Sequence, residues 1–282
     1  MKSLFRSIIV RISVSILGLF ILAALLAPLI SPADPLAGSL EDRLMPPAWT
    51  KGGSLRHILG ADDLGRDILS RLIHGAQVSL AVSALAIFGA GIVGSAVGAL
   101  AGYFGGWTDR IAMRIVDLAL SFPVVMLALL MAALFGPSLV NIIVVLTLVL
   151  WSPYARMARG ETLRVKKLDY IDLARTAGAS DISIILRHVL PNIAGALIVL
   201  ATLQVGTVIV LEASLSFLGV GVPPPTPSWG SMVSDGRNFI ASAWWVSLIP
   251  GLAVLAVVMS ANMLGDALAD HLNPERRRET GL

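Results

Sequence analysis

Five long apolar stretches of this chain contain no aspartate, glutamate, lysine or arginine. They cover residues 12–33, 72–108, 118–155, 189–211 and 238–265. A membrane-spanning helix needs about 20 consecutive apolar residues to cross the hydrocarbon core of a bilayer. Only 14% of the 282 residues are charged, against about 25% in soluble domains. We therefore predict an all-α polytopic membrane protein.

The run 118–155 is too long for one crossing and contains the sequence FGPS at 135–138. Glycine followed by proline breaks a helix, so this run predicts two spans. The first run starts after basic residues, as a signal peptide does. Its apolar region of about 19 residues exceeds the ~7–15 of signal peptides, which favours a retained anchor. We predict six spans, near 9–30, 77–103, 114–135, 139–157, 192–212 and 244–265.

The six spans divide the chain into three predicted regions. Residues 1–76 form an anchor helix with an extracytoplasmic loop, and residues 77–265 form the transmembrane core. The core contains a polar loop at 158–191, and residues 266–282 form a basic tail.

The distribution of lysine and arginine predicts the orientation. With both termini in the cytoplasm, the segments on that side hold 15 of the 21 basic residues. Five of the other six lie in the long segment 31–76, and long loops weigh little in the positive-inside rule. We expect a multi-pass membrane protein with cytoplasmic N and C termini.

The two outer segments, 31–76 and 213–243, contain turn-forming sequences such as SPADP and GVGVPPPTPSWG. Near the end of the first, Leu64, Ile68, Leu72 and Ile73 share one helical face, which predicts an amphipathic helix on the membrane surface. Two interpretations stay open. The segments bind a soluble partner or substrate, or they only cover the ends of the helices.

Polar and small residues inside the spans allow both structural and functional interpretations. A stripe at a spacing of four in the second span predicts close helix packing; its members are Ala86, Ala90, Gly94, Gly98 and Gly102. In the fifth span, Thr202, Gln204 and Thr207 line a translocation path or form hydrogen bonds between helices. Glu212 is predicted at the outer end of that span.

No residue pattern predicts catalysis by this chain. The four histidines are scattered without metal-ligand spacing, and there is no cysteine. The phosphate-binding pattern Gly-x-x-x-x-Gly-Lys-Ser/Thr is absent from the sequence. We predict no catalytic residue, no metal site and no cofactor in this chain. If transport here uses ATP, another chain must bind it.

The polar loop contains the sequence DYIDLARTAGASDISIILRHVLP at 169–191. Its first part predicts a short helix with a small-residue face at Ala174 and Gly178, near Leu168 and Ile171. Gly178 permits a bend, Ser180 caps a second short helix, and Pro191 opens the fifth span. Such a surface suits insertion into another protein, although an ordinary loop helix has the same pattern.

This loop resembles the EAA loop of ABC importer permeases, in which Glu-Ala-Ala is followed by Gly and then Ile-x-Leu-Pro at fixed spacing. Asp, Leu and His replace Glu, the first Ala and Ile. The resemblance implies a coupling-helix loop that docks onto ATPases. The implied coupling residues are Ile171, Asp172, Leu173, Ala174, Gly178, Ala179, Leu190 and Pro191.

Segments 59–80, 214–237 and 270–278 resemble the second permease of dipeptide, oligopeptide and nickel importers. This implies a location in the bacterial plasma (inner) membrane. It also implies a second homologous permease, two cytoplasmic ABC ATPases that use ATP and Mg, and an extracytoplasmic solute-binding protein, with no nucleic acid. The expected contacts with the binding protein are Asp62, Arg66, Trp229 and Arg237. Peptide, nickel, glutathione and opine substrates all stay open. A transporter driven by an ion gradient would instead need titratable groups well inside the spans, and we predict none there.

Overall fold

The computed structural model describes residues 7–272, and all named elements in that range are helical. Within this range five helices are long and apolar enough to cross a membrane, and a bent helix pair brings the number to six if the pair forms one crossing. The predicted all-α polytopic fold, with five to six candidate spans, is confirmed. The helices are α1 (Ile8–Leu25), α2 (Ala27–Ile30), α3 (Ile68–Phe104), α4 (Gly106–Ser121), α5 (Val124–Phe135), α6 (Leu139–Val165), α7 (Asp169–Thr176), α8 (Asp181–Ile184), α9 (Leu190–Phe217), α10 (Trp229–Gly236) and α11 (Trp245–Leu272).

The small-residue stripe on α3 packs against α6, as its spacing predicts. A Cβ atom on Gly94 would lie 2.2 Å from the carbonyl oxygen of Trp151. A Cβ on Gly98 would lie 2.2 Å from the carbonyl oxygen of Ala155. A backbone atom cannot move aside as a flexible side chain can. The two helices can therefore approach each other this closely only at glycine residues.

The third span is not the single helix predicted at 114–135. Helices α4 and α5 are bent by 84° at Phe122 and Pro123. Proline lacks an N–H for the helical ladder and disfavours the helical conformation of the residue before it. Phe122 accordingly has extended backbone, with ψ 127°. The predicted break after Phe135 is confirmed, with Gly136 at φ +78°.

Helix α3 contains 37 residues, about 56 Å at 1.5 Å per residue, and so extends beyond a ~30 Å hydrocarbon core. It begins at Ile68 because the Asp67 side chain caps it, accepting from the Ser70 N–H at 2.7 Å. The prediction of a separate amphipathic surface helix is therefore wrong. Its later residues belong to α3 itself, and Leu64 lies before that helix. The predicted region boundary at 76 also falls inside α3.

The predicted second short helix of the polar loop is continuous with the fifth span. Helix α8 passes through a π-helical segment, Ile185–Val189, directly into α9. Helix α9 starts with Pro191 in its first turn, where a missing N–H is tolerated. The predicted boundaries at 158 and 265 likewise fall inside α6 and α11. Of the predicted basic tail, residues 273–282 lie outside the described range.

The described chain buries three apolar clusters along the bundle. One lies between α3, α5, α6 and α9. A second, at the end that carries α10, joins α1, α3, α9, α10 and α11. The third lies at the end that carries α7 and joins α3, α6, α9 and the polar loop. We call these ends the α10 end and the α7 end.

Candidate functional site

The turn after α7 explains the spacing between Ala174 and Gly178. The Ala179 N–H donates to the Ala174 carbonyl at 3.1 Å, and the Gly178 N–H donates to the Arg175 carbonyl at 3.0 Å. Gly178 has φ +84°. This is a Schellman cap, which satisfies the last carbonyls of a helix and favours glycine at the left-handed position. The motif therefore builds a sharp reversal between α7 and α8.

One face of α7 packs against this chain itself. Ile171 is fully buried in the cluster at the α7 end, beside residues of α3, α6 and α9. Ala174 and Ala179 are partly buried against the same cluster, as is Leu190. Ala174, on the predicted small-residue face, is thus covered by other helices of this chain, whereas Gly178 is exposed. Ile171, Ala174 and Ala179 fix the position of α7.

The opposite face of the loop is exposed. Leu173 on α7 and Ile182 on α8 are each 67% exposed, and they flank the turn at Gly178. Asp172 and Pro191 are also exposed, and Leu186 in the π segment is 57% exposed. Leu173 lies on the short polar helix α7, where an exposed apolar side chain is costly to leave in water, so this face is suited to a protein partner. Ile182 and Leu186 were missed because they occupy unspecified positions of the motif, between Gly178 and His188.

Two of the four predicted binding-protein contacts are buried at the α10 end. Asp62 accepts hydrogen bonds from the N–H groups of Leu64 and Arg66 at 2.9 Å and from Arg66 Nε at 2.7 Å. Its carboxylate also lies 3.4 Å from Arg71 Nε. Asp62 therefore organises the loop before α3. Its role as a surface contact is contradicted by its burial.

Trp229 is fully buried as well. Its Nε1 donates to the Leu72 carbonyl at 3.0 Å, and its ring meets Phe20 edge-on at 5.4 Å. It anchors α10 to α1 and α3, so a partner has no access to it. Arg66 keeps a mostly buried side chain, whereas Arg237 is exposed with its guanidinium 5.7 Å from the Phe217 ring. Arg237 stays a predicted contact.

Glu212 forms a buried polar junction that was not predicted from the sequence. Ser79 Oγ donates to its carboxylate at 2.9 Å and Ser216 Oγ at 2.8 Å. The Trp229 N–H donates to the same Ser79 hydroxyl at 3.3 Å. Helix α9 extends five residues beyond Glu212, so this group lies inside the helix and not at its end. It joins α3, α9 and α10, which gives it a structural role.

The three candidate path residues on α9 do not form one polar stripe. Thr202 and Gln204 are half-buried, and Thr207 is exposed. Two residues apart on a helix project in directions about 160° apart, so Thr202 and Gln204 face different neighbours. The Thr202 hydroxyl donates to its own helix at the Ile198 carbonyl, 2.9 Å away. Thr207 and Gln204 lie about 60° apart and stay candidates for a path.

Comparison with known proteins places this arrangement in a family. Residues 94–278 match the family model of the binding-protein-dependent transport system inner membrane component. The chain belongs to this family. The match includes the polar loop and the spans on both sides of it, so the expected EAA-type loop lies within the matched region.

Relatives and a solved structure support the assignment. The chain is 40% identical over 257 residues to the di/tripeptide transport system permease protein DppC of Pseudomonas aeruginosa (strain UCBPP-PA14), covering 91% of this chain and 85% of that protein. It is 42% identical over 257 residues to the glutathione transport system permease protein GsiD of Escherichia coli (strain UTI89 / UPEC), covering 91% and 83%. The fold resembles an inward-facing form of the MetNI methionine ABC transporter, with TM-score 0.61, 21% identity, and coverage of 73% of this chain and 98% of that one.

Between residues 7 and 272 no three histidine, aspartate or glutamate side chains are arranged to hold a metal ion. The site that the structure defines best is the loop at the α7 end.

Proposed function

We propose that the chain is one of two pore-forming permeases of an ATP-driven importer of short peptides. The observation that carries this is the 40% identity to a di/tripeptide permease over nearly the whole chain. The glutathione permease is similarly close, and glutathione is itself a small peptide. The proposed substrate class therefore covers both relatives.

The other subunits of the importer are proposed because this sequence has no phosphate-binding loop and because one face of its polar loop is exposed. A second homologous permease completes the pore, and an extracytoplasmic binding protein delivers the peptide. Two cytoplasmic ABC ATPases bind ATP and Mg, since the sequence has no phosphate-binding loop. The exposed loop face around Leu173 and Ile182 receives an ATPase subunit and passes its closing motion to the spans.

The function is tested with proteoliposomes that contain both permeases and both ATPases. They are supplied with the binding protein and a radiolabelled dipeptide, tripeptide or glutathione. We expect uptake that requires ATP inside the vesicles and is lost when this chain is omitted. Uptake that proceeds without ATP and stops with a protonophore would instead show a gradient-driven transporter and contradict the proposal.

We also propose that the α7 end and both termini face the cytoplasm, on the basis of the basic-residue distribution. The chain contains no cysteine, so single cysteines report position cleanly. Thr176→Cys and Lys51→Cys both replace exposed residues. In intact cells we expect a membrane-impermeant maleimide to label Lys51→Cys, and to label Thr176→Cys only after lysis. The reverse pattern would contradict this orientation.

A further inference from the structure

Tyr103 lies where the coupling loop meets the spans, although it belongs to no part of the loop motif. It is the penultimate residue of α3, and only 3% of it is exposed. Its ring is part of the buried cluster at the α7 end, together with Ile171 of α7 and Val189 of the π segment. The ring therefore contacts the residues through which a motion of α7 would reach the spans.

The Tyr103 hydroxyl bridges the two sides of the loop turn. It donates to Asp181 Oδ1 at 2.7 Å, and it accepts from Arg175 Nη2 at 3.4 Å. Arg175 lies in the last turn of α7, and Asp181 begins the helical run that becomes α9. The hydroxyl thus donates a hydrogen bond to α8 and accepts one from α7 at the same time.

A third segment reaches the same residue. Lys166, the residue after α6, donates from Nζ to the Tyr103 carbonyl oxygen. The Lys166 ammonium lies 5.5 Å and the Arg175 guanidinium carbon 5.9 Å from the centroid of the Tyr103 ring. Both distances are within the range of cation–π attraction. The segment that enters the loop and the one that leaves it therefore meet on one side chain of α3.

We propose that Tyr103 is the positioning residue that couples α7 to the second and fifth spans, and this rests on the proposed function of the loop. Packing of Ile171 holds α7 near the bundle but does not set its orientation, since apolar contact is non-directional. The hydrogen bond to the Asp181 carboxylate is charge-assisted and directional, and it joins α3 to α8 and so to the start of α9. The Arg175 guanidinium donates to the same hydroxyl and joins α7 to this pair, so a displacement of α7 carries α3 and the start of α9 with it.

The test compares Tyr103→Phe, Asp181→Ala and the double variant in the reconstituted full complex. Phenylalanine keeps the buried ring and removes only the hydroxyl. Tyr154→Phe is the matched control, because the buried Tyr154 hydroxyl on α6 has no hydrogen-bond partner within the described chain. The readouts are the ATPase that co-purifies with the tagged permease and the ratio of peptide taken up to ATP hydrolysed.

We expect ATPase to co-purify normally with all variants. The uptake ratio should fall roughly tenfold in Tyr103→Phe and Asp181→Ala, the effect of losing one hydrogen bond to a charged group. The double variant should be no worse than either single one, because both remove the same contact. Tyr154→Phe should match the unmodified complex.

Two results would overturn the inference while the proposed function stands. One is a normal uptake ratio in Tyr103→Phe with ATPase bound. The other is strictly additive loss in the double variant, which would mean that the two side chains act separately. Failure of the unmodified chain to bind ATPase at all would instead count against the proposed function, and with it this inference.

Discussion

Trp229→Ala should lower the stability of the detergent-solubilised chain more than any other single truncation at the α10 end. Replacing a fully buried tryptophan by alanine costs about 3–5 kcal/mol, because burial is lost and a cavity remains. The variant also loses the hydrogen bond to Leu72 and the edge contact with Phe20. These contacts fasten α10 to α3 and α1, so the outer segment should lose its fixed position.

Trp49→Ala is the matched control. Trp49 lies in the loop before α3 and is 61% exposed, so its truncation should change stability by no more than about 0.5 kcal/mol. The measurement is the temperature at which each variant leaves the monodisperse peak in size-exclusion chromatography. Equal temperatures for the two variants would show that Trp229 does not anchor α10.

Local spacing was enough to predict the parts of the fold that depend on neighbouring residues. The stripe that includes Gly94 and Gly98 predicted close packing, and α6 lies against it. Gly136 and Pro137 predicted a helix break that the structure contains. The bend at Pro123 was missed because an apolar run shows the same composition whether its helix is straight or bent.

Contacts between distant parts of the chain were not predictable in the same way. Asp62 and Trp229 lie in segments rich in turn formers, which suggested exposure. Asp62 is buried in contact with Arg66 and Arg71, and Trp229 is buried in contact with Leu72. Glu212 is held by Ser79, 133 residues away, and no pattern in a single sequence reports such a pair. The polar loop was found from its resemblance to the EAA motif, but which of its faces is exposed depends on the cluster around Ile171.

That free face gives the prediction with the largest functional effect. Leu173→Asp should abolish peptide uptake, because Leu173 is 67% exposed on the face proposed to enter an ATPase subunit. Burying one leucine contributes about 1.5–3 kcal/mol, and an unpaired carboxylate in its place adds a desolvation cost. Together these should weaken association roughly 100-fold or more. The six spans do not involve Leu173, so insertion and pairing with the sister permease should be normal.

Leu173 is a sharper site for this test than Gly178. The φ of +84° at Gly178 strains any other residue there, so a bulky substitution would distort the turn as well as obstruct a partner. Leu173 has ordinary helical surroundings in α7, and its change alters the exposed face alone. Leu55→Asp provides the control, since Leu55 is 87% exposed in the segment before α3.

The most direct test of the coupling loop is the amount of ATPase that co-purifies with the tagged permease when both permeases and both ATPases are expressed together. We predict that Leu173→Asp loses the ATPases while it retains the sister permease, and that Leu55→Asp retains both. ATPase bound to Leu173→Asp at the level of the unmodified chain, with normal peptide uptake, would contradict the account of the loop as the site of ATP coupling.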